Sequence, residues 1–146
     1  MAATDYQVSR FPLGIAEMPV KNTSGTAFAL GSQGQGPLVK IDTGNLISGT
    51  QAAVGVVLTA AVTDIPLGVV IEDIPAGGYG RVQVLGCAWC IAQAAITAGV
   101  LVGPGGTTSG DVIAYTAGDP YIGQALTAAA TAGDPILVHL MPRGTT

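Results

Sequence analysis

The sequence predicts an all-β, mostly antiparallel protein, built as a small barrel or sandwich-like domain with at most one or two short helices. Three observations carry that expectation. Gly, Val, Ile and Thr recur at spacings that interrupt helices, so helix signals are poor. Short apolar runs alternate with clusters of Gly, Pro, Asn and Asp, the punctuation of strands and turns. Charge is also scarce: of 146 residues, 49% are hydrophobic and only fourteen are ionised, nine acidic and five basic.

Taken in chain order, residues 1–30 contain Pro12 and Pro19 and hold no sustained period, so they read as an extended N-terminal arm ahead of a single β-rich domain over 31–146. Gly31 to Pro37 is a turn or junction. Gly68 to Ile74 reads as a strand that ends at Pro75 and a Gly77-Gly78 turn. Arg81-Val82-Gln83-Val84 is the clearest strand, with Val82 and Val84 on one face and Arg81 and Gln83 on the other. Asp111 to Thr116 and Pro135 to Met141 complete the strands that the pattern marks. Ala92 to Ala98 and Gln124 to Ala132 are alanine-rich and are the places for the short helices. A turn chemistry recurs at Thr97-Ala98-Gly99, Thr116-Ala117-Gly118-Asp119-Pro120 and Thr131-Ala132-Gly133-Asp134-Pro135, where glycine takes positive φ and Asp-Pro returns the chain to an extended path.

Composition excludes several function classes. A monomer of this mass exposes roughly 6,800 Å², or about one charge per 500 Å², far less than an ordinary soluble surface carries. Glycine and alanine, 22 of each, must fill much of the exterior, and the apolar strands are expected to find cover on neighbouring subunits. The five basic residues are scattered, which argues against nucleic acid as a partner. The longest apolar stretches break well before the roughly 20 residues a bilayer crossing needs, and the first residues have no secretory pattern, so synthesis in a bacterial cytoplasm is expected.

The residues able to do chemistry do not assemble into a site. Cys87-Ala88-Trp89-Cys90 has C-x-x-C spacing but continues an alternating strand, where positions three apart face opposite ways and stand about 10 Å apart, too far for a disulfide or a shared metal. Both thiols are expected as small buried hydrophobes. His139, the single histidine, lies in Ile136-Leu137-Val138-His139-Leu140-Met141, a strand apolar on both faces, and is expected to be hydrogen-bonded packing. Glu72 and Asp73 point apart and cannot serve one substrate. Gly103-Pro104-Gly105-Gly106-Thr107-Thr108 has a phosphate loop's glycines without its Lys-Ser/Thr ending, so it is a plain loop. Asn22-Thr23-Ser24 matches a glycosylation acceptor, which has no meaning without secretion. No catalytic, cofactor-binding or metal-binding residue is therefore assigned; an enzyme or a small-molecule binder is not expected.

The run Pro66-Leu67-Gly68-Val69-Val70, then Ala76-Gly77-Gly78-Tyr79-Gly80-Arg81-Val82-Gln83-Val84-Leu85-Gly86, then Ala95-Ile96-Thr97-Ala98-Gly99-Val100-Leu101-Val102 resembles the capsid decoration (cement) proteins of tailed bacteriophages. Tyr121-Ile122-Gly123-Gln124-Ala125-Leu126 and Ile136-Leu137-Val138-His139-Leu140 extend the resemblance to about half the chain. It implies a mostly β protomer, often trimeric, that sits on the outer capsid surface and cements neighbouring major capsid protein subunits, with an N-terminal arm engaging the shell. The alternative is a head fibre or tail component on a similar β scaffold. An attachment made by uncharged groups is expected to survive high ionic strength.

Overall fold

The computed structural model describes residues 16–45, 53–107 and 109–144. Nine strands make it up: β1 (Ala16–Asn22), β2 (Leu38–Ile41), β3 (Val54–Leu58), β4 (Gly68–Val70), β5 (Tyr79–Ile91), β6 (Leu101–Pro104), β7 (Val112–Ala114), β8 (Tyr121–Ala125) and β9 (Pro135–Gly144). Following the pairings β1–β3–β2–β4–β5 and back from β5 to β1 closes a five-stranded barrel. The β1–β3 pair is parallel and the others are antiparallel, so the sheet is mixed. Val20, Phe28, Val39, Val56, Val70, Ile74 and Val82 fill this barrel. Aliphatic packing of this kind stabilises by about 1.5–3 kcal/mol per fully buried side chain.

The 13-residue β5 belongs to two units. Its first half closes the barrel; from Gly86 to Ile91 it pairs antiparallel with β9, and the sheet continues through β8 and β6 to β7. An Ala92–Val112 bridge, reinforced by the Gln93 N–H donating to the Val112 carbonyl at 2.8 Å, returns β7 to the end of β5. The second sheet thus rolls around its own core of Cys90, Ile96, Val102, Val112, Ile122, Ile136, Val138 and Leu140, joined by Leu38 and Val69 from the first unit. Where the units meet, Gly86 has a φ of 93°, and Gln83 Nε2 donates to the Leu85 and Cys87 carbonyls, both at 2.9 Å, bracing the strand across that residue.

The described residues contain no helix. The two alanine-rich segments meet instead in an Ile96–Ala129 bridge, with the amide of each donating to the other's carbonyl at 2.9 Å. Ile96 and Ala129 are both buried, and that tertiary pairing outweighs alanine's helix preference. A second correction concerns the arm. Its residues 1–15 lie outside the described residues, but 16–22 are barrel wall as β1, with Val20 and Asn22 buried, and in the irregular stretch that follows Phe28 bridges Ile74 and enters the barrel core. Pro19 is tolerated in β1 because the N–H of Arg81, its opposite residue, is directed to the Glu72 carboxylate, so no ladder bond needs a donor there.

The recurrent turn is as the sequence suggests, with Gly99, Gly118 and Gly133 at φ values of 92°, 97° and 88°. In one of these turns and at one further position an aspartate organises the loop by the same geometry. Asp134 Oδ2 accepts the Ala130 and Thr131 amides, and Asp64 Oδ2 accepts those of Ala60 and Ala61.

Candidate interaction face

The sequence-marked groups are dispersed by this fold. Asn22 is buried: its side-chain amide donates to the carbonyls of Thr26, Ile74 and Pro75 while its oxygen accepts from Ser24, so it is a loop organiser rather than an acceptor site. Glu72 engages Arg81, and Asp73 accepts the Leu30 amide at 2.8 Å, so the two carboxylates do point apart. The glycine-rich run is only partly the loop expected, because Gly103 and Pro104 end β6; beyond them the Gly105 amide is used by the Asp111 carbonyl and the Gly106 amide by Gln93 Oε1, leaving neither donor to cradle a phosphate. Burial pushes the Asp111 carboxyl above its ordinary value, partly offset by the Thr107 hydroxyl at 3.1 Å.

The first barrel carries an open groove of about 770 Å³ lined by Lys40, Ile41, Asp42, Thr43, Val57, Thr63, Asp64 and Ile65. Its charged groups are already engaged. Lys40 Nζ lies 2.8 Å from Asp64 Oδ1, and Asp42 accepts from Thr23 and Asn45. Those bonds, with one from the Gly44 amide, hold the Asp42 carboxyl below its usual range. For Asp64, burial pushes upward, but the Ala60 amide, Lys40 and the Ala61 amide together outweigh it and the net shift is downward. Both carboxylates and the ammonium of this groove are thus already held by neighbouring groups of the same chain.

The second sheet presents a different kind of surface. Between Arg81 and Arg143 the only charged residues are Asp111, Asp119 and Asp134, and all three lie in loops. Along β5, Ala88 and Cys90 face the core while Leu85, Cys87 and Trp89 are exposed. Trp89, the single tryptophan, keeps 45% of its surface in solvent. It stands opposite Leu137 of β9, whose carbonyl accepts the amide of the exposed Leu126 at 2.8 Å, so an apolar row crosses the sheet. The next row is Cys87, His139, Gln124 and Leu101, each opposite its neighbour across β5, β9, β8 and β6.

This arrangement corrects two expectations. Cys90 is a buried hydrophobe whose thiol desolvation pushes up to about 12, but Cys87 is exposed. The thiols do face opposite ways, and both are free. His139 is exposed rather than packed, although β9 is central in its sheet as its two apolar faces suggest. Alternation alone places one cysteine outward; the missing signal was which strand lies beside it. Among the described residues no three His, Cys, Asp or Glu side chains converge as metal ligands.

No protein-family model matches the chain, and no curated protein matches it. Among solved structures it is similar to the N base of the head fibre gp8.5 of bacteriophage phi29, with a TM-score of 0.61 at 16% identity, covering 87% of this chain and 94% of that one. The likeness at that identity is one of fold, and it spans both sheets rather than a single barrel.

Proposed function

We propose that this chain is a structural virion protein of a tailed bacteriophage, attached to the outer surface of the head, where it cements neighbouring major capsid protein subunits. The observation that carries the reading is the uncharged, half-apolar outer face of the second sheet, centred on the exposed Trp89. Aromatic anchors on charge-depleted patches are the composition of interface centres. The fold likeness to a head-fibre base supports a place on a phage head. Assembly as a trimer belongs to the same proposal, because many weak contacts gain from multivalency on a repeating shell.

The second reading, favoured by that same likeness, is the base of a head fibre, which docks on the shell but does not hold subunits together. Copy number and position separate the two. Quantitative mass spectrometry and an electron-microscopy map of the parent particle should show a stoichiometry that scales with capsomers and density bridging capsid subunits. Density rooted on one capsomer and extended outward would favour the fibre base. Absence of the chain from purified particles would sink both.

A further inference from the structure

The C-x-x-C spacing points its two thiols to opposite sides of β5, so as a pair they hold nothing; the fold, however, brings a different partner to the outward one. Cys87 of β5 is directly opposite His139 of β9, and both are exposed. The type of pairing follows from the strand ends. Ala92, continuing the register that sets Ile91 against Pro135, donates its amide to the Asp134 carbonyl at 2.9 Å, so the even-numbered residues of β5 make the ladder bonds to β9. Cys87 and His139 therefore form a non-hydrogen-bonded pair, the kind in which facing Cα atoms approach to about 4.5 Å and side chains lie closest.

We propose that Cys87 and His139 form a two-ligand site for a borderline-soft divalent cation, zinc being the natural occupant, on the outer face of the second sheet. A thiolate and an imidazole are the donor types zinc selects, and bond lengths of about 2.3 Å to sulfur and 2.0–2.1 Å to nitrogen suit two side chains on adjacent strands. Gln83 Nε2 holds the Cys87 carbonyl, and Gln124, opposite His139 on the other side, is tied to the Gly99 carbonyl at 2.8 Å, so the backbone that carries the pair is braced. β6 and β8 carry no Lys or Arg; the basic residue of β5 is Arg81, six positions before Cys87, and that of β9 is Arg143, four positions beyond His139, so none is a strand neighbour of the pair. Binding replaces the thiol proton: the cation gains one S–M and one N–M bond, one proton is released, and affinity rises with pH. The two remaining coordination positions are left to water or to donors of a neighbouring chain against the same face.

The site is independent of the proposed virion role and is tested on the isolated, reduced protein. Titration with Co²⁺ should produce thiolate-to-cobalt absorption in the near ultraviolet, saturating at one cobalt per chain, or at one per two chains where a second copy completes the shell, and added Zn²⁺ should abolish it. Both Cys87→Ser and His139→Ala should weaken binding by at least the roughly tenfold that loss of even an outer-shell partner costs. Cys90→Ala should leave it intact. Because Cys87 and His139 are exposed, circular dichroism of their variants should match the parent. Absence of thiolate-to-cobalt absorption at millimolar Co²⁺, or an unchanged midpoint in His139→Ala, overturns the proposal.

Discussion

Cys87 and Cys90 stand three residues apart on one strand and meet opposite environments. Ellman's reagent should titrate one thiol in the native protein and two in guanidinium. Cys87→Ser should remove the native signal; a reactive Cys90 would contradict its burial. The buried thiol also makes a pH prediction. Its folded value of about 12 lies above its ordinary 9.0, so the neutral form is favoured by folding; that stabilisation is complete below pH 9 and is lost as pH rises toward 12. Cys90→Ala should flatten the alkaline limb of a denaturation series. Asp64 has the opposite sign. Its carboxyl is held below 3.8, so its contribution is present above that pH and disappears as pH falls through the folded value. Removing its two amide bonds and the Lys40 partner in Asp64→Ala should cost about 1–3 kcal/mol in urea denaturation at neutral pH, with a shallower acid limb than the parent. The Asp-Pro turn at Asp134 was legible because its chemistry is local; the matching turn at Asp64 was not, because Ile65 separates the aspartate from Pro66.

Strands revealed themselves where alternation or flanking turns marked them, as in Arg81 to Val84, Pro135 to Met141 and even the three-residue β4 and β7, which the pattern marks as longer runs, while β1, with its proline, stayed hidden. β1 is the instructive miss. Ala16–Asn22 contains Pro19 and two charges, yet it closes the first barrel because β5 and β3 are both beside it. If residues 16–30 are structural, Phe28→Ala should destabilise by about 3–5 kcal/mol, the range for emptying a fully buried aromatic site. A loss under about 1 kcal/mol would return this segment to the arm. The junction between the sheets offers a second test at this scale. Gly36 donates its amide to the Trp89 carbonyl at 2.9 Å, and a Cβ built there would lie 1.7 Å from the Val70 carbonyl oxygen. Gly36→Ala must therefore shift backbone, and thermal denaturation should show a loss of about 1–3 kcal/mol or more.

For the molecule as a whole, the described chain is two rolled sheets sharing one long strand, with most of its charge on the first unit and an uncharged face on the second. Under the proposed function that face is covered on the particle. Trp89 then becomes an intrinsic reporter: its fluorescence should be quenchable by iodide or acrylamide in the free protein and protected, with emission shifted to the blue, after addition to particles stripped of this protein. Trp89→Ser should reduce attachment while leaving the fold intact, since the side chain is half in solvent. Attachment measured by co-sedimentation should change little with added salt, because apolar and backbone contacts are screened weakly. Full quenching on the particle together with undiminished binding of Trp89→Ser would place the contact elsewhere.

Fold class, the repeated Gly-Asp-Pro turns, the opposed directions of the two thiols and the scarcity of charge were all determined by the sequence alone, because each depends on residues near one another in the chain or on composition. Closure of the first barrel through β1, the suppression of two alanine-rich helices by the Ile96–Ala129 pairing, and the placement of His139 opposite Cys87 were decided only by the tertiary structure. Those features join residues from about 30 to 70 positions apart, and strand pairing at that distance follows from which apolar faces can be buried together, which no local period in the chain encodes.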